Sequence, residues 1–284
     1  MNEKILDFSK ANFFSDKNVI KICQNNDVNK KINKNLLYEY INDFDNKILK
    51  EKLVNLLNSI YNIDGFKNCI KDEDLFFEKN EMSAIKILVN NLVNDNDIII
   101  LDKPYDIKLF NFFKTKNLEI KTIDICNDGY DINSLLNILK NNENRNIIYY
   151  TMPFLHNPSN ISTSFVKKMI LINFSKKYKN LNIISNETFQ FNIQDRKKNK
   201  PKNYLPLSSL CEEKVYSIGS FTNIIYPNLN LAWILTKSEI NIKSNYKNSL
   251  INLIIDNFMQ KKLLEDMIKN ENLNLQNKYN KIVS

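Results

Sequence analysis

The chain has 284 residues, 43% of them hydrophobic, which is enough to bury a substantial core and excludes disorder as the default state. Its net charge of +8 comes from 40 basic against 32 acidic side chains; the two signs are interspersed, and the one dense basic run, Arg196-Lys197-Lys198-Asn199-Lys200-Pro201-Lys202, reads as a loop, which argues against a nucleic-acid role. Cys23, Cys69, Cys126 and Cys211 are too scattered for a zinc site or a disulfide framework, and with neither a signal core nor a membrane-length apolar run the expected location is cytoplasmic, with no membrane contact.

In chain order, residues 1–45 read as an N-terminal arm. Residues 46–57 place Leu49, Leu53, Leu56 and Leu57 at helical spacing. A second helix is expected over 83–93, with Ala84, Ile87, Leu88 and Leu92 on one face. Short apolar runs then predict strands at 98–101, 119–123 and 147–152. A helix over 164–178 presents Val166, Met169, Ile170 and Phe174, and further strands follow at 182–185, 214–218 and 231–235. Residues 246–284 read as helix in two pieces. This alternation predicts an α/β domain over 46–240 with a mainly parallel sheet under helices, followed by a C-terminal helical portion at 241–284.

Four ordered segments carry the chemistry. Phe76-Phe77-Glu78-Lys79-Asn80-Glu81-Met82-Ser83-Ala84-Ile85 turns into a helix, and Asp102-Lys103-Pro104-Tyr105 follows the next strand. Tyr149-Tyr150-Thr151-Met152-Pro153-Phe154-Leu155-His156-Asn157-Pro158 is a strand ending in an Asn-Pro turn. Asn182-Ile183-Ile184-Ser185-Asn186-Glu187-Thr188-Phe189 is a strand with a polar end. Val215 to Trp233 includes Gly219-Ser220-Phe221-Thr222-Asn223 and, seven residues on, Asn230-Leu231-Ala232-Trp233.

In order and spacing these segments resemble the landmarks of class I and II aminotransferases, the fold type I enzymes that use pyridoxal phosphate (PLP). The resemblance spans about residues 5–281 and is most specific over 149–233. It implies a three-layer α/β/α large domain with a mostly parallel central sheet and a truncated C-terminal small domain. It also implies site roles. Asn157 matches the family's donor to the cofactor's phenolic oxygen, although Asn-Pro taken alone reads first as a simple turn after a strand. Ser220 and Thr222 match phosphate-binding hydroxyls. Tyr105 matches a ring that stacks on the pyridine, with a core aromatic as the equal alternative.

Other positions depart from the pattern. Asn186 stands where the family has the Asp that pairs with the pyridinium, and an amide cannot hold that charge. Phe189 replaces a hydroxyl-bearing Tyr. Asn223 replaces the lysine of the Schiff base, which needs a nucleophilic amine, and Asn230 replaces a phosphate-binding Arg. In the family's Gly-Ser-Gln-Gln-Ala-like turn into a helix, whose amides grip the phosphate, Asn80 replaces the Gly and Glu81 and Met82 the helping side chains, and an anionic Glu81 there repels phosphate. The resemblance therefore implies PLP binding that is weak or lost, no intact catalytic residue and no metal. The expected role is a non-catalytic scaffold or dimerisation partner, paired with itself or with an intact aminotransferase. The alternative is an active PLP enzyme acting on amino acids through an unconventional lysine or a shared site.

Overall fold

The computed structural model describes residues 44–61, 70–191, 205–210, 213–222 and 231–242, together with Tyr246, Ile255 and Met259. Residues 1–43 of the N-terminal arm, Asn223, Asn230, the basic run at 196–202 and most of the C-terminal helical portion lie outside the described residues.

Among the described residues fifteen elements follow one another: α1 (Phe44–Tyr61), a 3-10 turn (Asp72–Asp74), β1 (Leu75–Glu78), α2 (Glu81–Leu92), β2 (Ile98–Lys103), α3 (Ile107–Lys114), β3 (Glu119–Cys126), β4 (Gly129–Tyr130), α4 (Ile132–Lys140), β5 (Ile147–Thr151), α5 (Phe165–Lys177), β6 (Leu181–Asn186), α6 (Leu207–Leu210), β7 (Val215–Ser220) and β8 (Ala232–Leu235). The strands form one sheet in the order β1-β8-β7-β6-β5-β2-β3-β4. Pairing is parallel from β7 through β6, β5 and β2 to β3 and antiparallel at both edges. The expected mostly parallel α/β sheet is therefore present.

The apolar runs exist because a parallel sheet is covered on both faces. In β2 and β5 the side chains alternate between two cores. Ile99, Leu101, Ile148 and Tyr150 pack with Ala84, Ile85, Leu88 and Val89 of α2 and with Phe113 of α3. Ile98, Ile100, Ile147 and Tyr149 pack with Leu135 and Leu139 of α4 and Leu171 and Ile172 of α5. These are the two helical layers. A third cluster docks α1 through Leu49, Leu53, Val54 and Leu57 onto Leu75, Phe77, Phe221 and Trp233 at the β1/β8 edge. Each of those buried leucines contributes about 2 kcal/mol.

The helices begin where a polar side chain replaces the missing intrahelical acceptor. Asn80, Asp106, Asp131 and Ser164 each accept an N–H from the first turn of α2, α3, α4 and α5. Gly129 turns β3 into β4 with φ of 118°.

The helical faces differ from expectation. On α2 the buried face is Ala84, Ile85, Leu88 and Val89, with Ile87 and Leu92 only partly covered. On α5, Val166 is 66% exposed, while Lys167, Lys168, Leu171, Ile172 and Ser175 are buried. The physical reason is that both lysines satisfy their amines internally: Lys167 Nζ donates to the carbonyls of Gly129 and Tyr130, and Lys168 Nζ to that of Leu205. Two cations on the core face disguise it as a solvent face. β1, β4, α3, α4 and α6 were not expected from the sequence.

Candidate functional site

Strand order reverses direction between β2 and β5, since the chain leaves β2 for β3 on one side and returns through β5 on the other. In open α/β sheets such a reversal leaves a crevice beyond the carboxyl ends of the strands. A cleft of about 230 Å³ lies there. Leu101 and Asp102 of β2, Tyr150 of β5 and Met152 just after it, and Phe189 after β6 line it; α2 contributes Glu81, Met82 and Ile85, and α3 contributes Lys108 and Leu109.

Asn186 is the centre of the polar contacts. It ends β6, fully buried, and its amide nitrogen donates to Glu81 Oε1 at 2.6 Å and to the Tyr150 hydroxyl at 2.8 Å. Its carbonyl oxygen accepts from Thr188 Oγ1 at 2.9 Å and from the Thr188 amide at 3.2 Å. Both amide hydrogens and both oxygen lone pairs are thereby matched within the protein.

The ionisable groups lining the cleft are predominantly acidic, Glu81, Asp102 and Asp106 against Lys108. Burial raises the Glu81 carboxyl above the usual range, with Asp106 adding to the effect and the Asn186 hydrogen bond opposing it. Asp102 accepts from the Tyr149 hydroxyl and Thr151 Oγ1, each at 2.6 Å, yet burial still pushes it up to about 6. Asp106 caps α3 through the amides of Lys108 and Leu109. Burial, with Glu81 adding to it, keeps the Tyr150 phenol protonated far above its ordinary range. His156 lines the cleft beside Ser159, its Nδ1 2.9 Å from Ser159 Oγ, and burial lowers its imidazole to about 4. It is therefore neutral near pH 7.

Of the residues singled out from the sequence, Asn157, Tyr105 and Phe189 line this cleft together with His156. The Tyr105 ring is stacked on Phe110, with centroids 4.6 Å apart and 13° between the planes, so both readings of it, wall and packing aromatic, describe its position. Asn186 stands beside the cleft, reaching it through Glu81 and Tyr150. Ser220 and Thr222 meet at the end of β7: their hydroxyls are 2.6 Å apart, Ser220 Oγ donates to the Leu231 carbonyl at 2.9 Å, and the Thr222 amide donates to Ser220 Oγ at 3.0 Å. Asn80 is the N-cap of α2, taking the Ser83 amide at 2.8 Å, which gives an Asn at this position a purpose in the helix itself. Asn223 and Asn230 are outside the described residues.

Sequence reasoning did not single out Tyr150, Asp106 or Lys108 as parts of a site. Asp106 carried a usable signal, an N-cap acid before an apolar run. Tyr150 and Lys108 carried none, since their place depends on the β2/β5 reversal.

No family model matches the chain. It is similar to aromatic-amino-acid aminotransferase 1 of Thermococcus litoralis, 21% identical over 67% of this chain and 45% of that protein. It is also similar to the HTH-type transcriptional regulator NorG of Staphylococcus aureus, 27% identical over 59% of this chain and 36% of that protein. The chain thus spans less than half the length of either relative. Among solved structures, a PLP-bound C-S lyase from Staphylococcus hominis superposes with a TM-score of 0.72 at 18% identity, covering 94% of this chain and 65% of that one. Together with the sheet order and the cleft at its reversal point, these likenesses identify the fold as that of the PLP-dependent aminotransferases of classes I and II.

Proposed function

We propose that this protein is a non-catalytic, aminotransferase-like scaffold whose cofactor site has degenerated, and that it acts as a dimerisation partner of itself or of an intact aminotransferase. The observation that carries this reading is the state of Asn186. A cationic pyridine ring needs an anion at its nitrogen to act as an electron sink. At that position this chain offers a neutral amide whose donors and acceptors are already matched by Glu81, Tyr150 and Thr188.

Three further facts support it. The cleft wall carries Glu81, Asp102 and Asp106, hydrogen-bond acceptors that do not suit a phosphate-bearing cofactor. The hydroxyls of Ser220 and Thr222 are turned to each other and to backbone. The sequence has Asn223 where a Schiff-base lysine belongs. Fold alone does not carry catalysis, because the activity resides in these groups.

A second reading, an active PLP enzyme using an unconventional lysine on amino acids, is favoured by one observation: Lys108 lies in the cleft wall. Half-transamination separates the two. PLP and a panel of amino acids incubated with purified protein are expected to yield pyridoxamine phosphate no faster than without it. Saturable acceleration with any amino acid contradicts the scaffold reading.

A further inference from the structure

Two carboxylates reach the cleft from the starts of two helices, Glu81 opening α2 and Asp106 capping α3. They lie near enough for Asp106 to push the Glu81 carboxyl further up. Lys108, the opposing cation of the lining, is exposed, so its ammonium reaches water. Much of the acceptor capacity of these acids is already engaged. Asp102 takes the Tyr149 and Thr151 hydroxyls, Glu81 Oε1 takes Asn186, and Asp106 Oδ1 takes the Lys108 and Leu109 amides. Negative charge therefore persists where few lone pairs do. A primary ammonium enclosed there would be left with unmatched N–H donors. A methylated ammonium has no such donors to match and is held by charge and by aromatic faces. Aromatic walls are present: Phe189 and Tyr105 line the cleft, and Tyr105 is backed by the stacked ring of Phe110. Tyr150 adds an independent requirement. It is only 5% exposed and lines the cleft; its hydroxyl accepts from Asn186, and its own proton meets no acceptor among the described residues. A buried O–H in that state favours an oxygen acceptor on whatever enters.

We propose that the cleft binds a methylated ammonium ion that carries a hydroxyl, a compound of the choline type, with its cation against Tyr105 and Phe189 in the field of Glu81 and Asp106 and its oxygen on the Tyr150 proton. The inference goes beyond the scaffold reading, since it gives the fold a reversible, non-covalent ligand. The cleft of about 230 Å³ is smaller than the roughly 300–1,000 Å³ that encloses drug-sized molecules, which suits a small ion. Such a cation occurs free or as a phospholipid headgroup, and the methylated nitrogen is the chemistry the two share.

Titration calorimetry of the full chain compares choline with 3,3-dimethylbutan-1-ol, its uncharged carbon isostere, and with ethanolamine, which keeps charge and hydroxyl but carries N–H donors. The ring resonances of His156, which lines the cleft, report where binding occurs. Choline is expected to bind saturably, to shift those resonances, and to bind at least about tenfold more tightly than either comparison compound. Asp106→Asn keeps a capping oxygen for α3 and removes a charge; it is expected to weaken choline about three- to tenfold and to leave the isostere unchanged. Phe189→Leu, which removes an aromatic face, is expected to weaken choline by a similar factor and carries the test if the asparagine variant does not fold. Glycerophosphocholine separates the two sources: binding weaker than choline assigns the free compound, tighter binding the headgroup, and both uphold the cation site. No binding of choline below about 10 mM, an isostere or ethanolamine that binds as tightly, or binding that leaves His156 unmoved overturns the proposal. Choline has no primary amine to transaminate, so its failure to bind is distinct from failure of the scaffold reading, which transamination decides.

Discussion

Gly219 of β7 lies directly opposite Trp233 of β8, so close that a Cβ built on the glycine would sit 2.2 Å from indole Cε2. Trp233 is pinned in turn by Phe221, whose ring centroid is 4.8 Å away, and by the docked helix α1. The chain has only 3 glycines, and this one holds a position that a side chain cannot share with the indole. Gly219→Ala is expected to destabilise the fold by about 1–3 kcal/mol through overpacking, read by chemical denaturation followed through Trp233, the sole tryptophan. Unchanged stability would mean that the β7–β8 contact is looser than described.

Lys168 and Glu187 are a second interior relationship. Lys168 is fully buried on α5, its amine 3.8 Å from the Phe154 ring centroid and 2.9 Å from the Leu205 carbonyl. Glu187 Oε1 accepts from Ser185 Oγ and the Leu207 amide. Burial pulls the amine down and pushes the carboxyl up, each opposed by the other's charge. Lys168→Met is expected to cost about 3 kcal/mol, because it leaves a buried acid without its counter-charge. A buried acid with a raised folded value loses stability as pH rises through that value, so the deficit grows above neutral pH. Adding Glu187→Gln is expected to return part of the stability and remove that growth. A loss independent of pH would indicate a packing effect instead.

His156 is the chain's one histidine and supplies a clean probe of the cleft. Burial depresses its imidazole from 6.5 to about 4, so the folded protein prefers the neutral ring. Its contribution to stability is complete above pH 6.5 and is lost as pH falls through that value toward 4. The imidazole proton resonance is expected to titrate near 4, and the stability difference between wild type and His156→Gln to change across that window. An imidazole titrating near 6.5 contradicts the burial described.

The parallel strands were legible because a sheet covered on both faces writes uninterrupted apolar runs such as Ile98-Ile99-Ile100-Leu101. β4 escaped notice because two residues, Gly129 and Tyr130, carry no period. The core face of α5 was misplaced because Lys167 and Lys168 occupy it, and periodicity cannot register amines whose partners, the Gly129, Tyr130 and Leu205 carbonyls with Asp128 and Glu187, are distant in sequence. At the cleft the order of the segments marked Asn157, Asn186 and Phe189. That Glu81 reaches Asn186 was not legible, since the contact depends on how α2 lies over the ends of the strands.

Borohydride reduction of the protein mixed with PLP, followed by intact mass and peptide mapping, decides whether any lysine of this chain anchors PLP, as the proposed scaffold role requires that none does. An unmodified mass and no absorbance band of a bound imine are expected. A stoichiometric pyridoxyl adduct on one lysine, with Lys108 of the cleft wall the first position to inspect, would contradict that role.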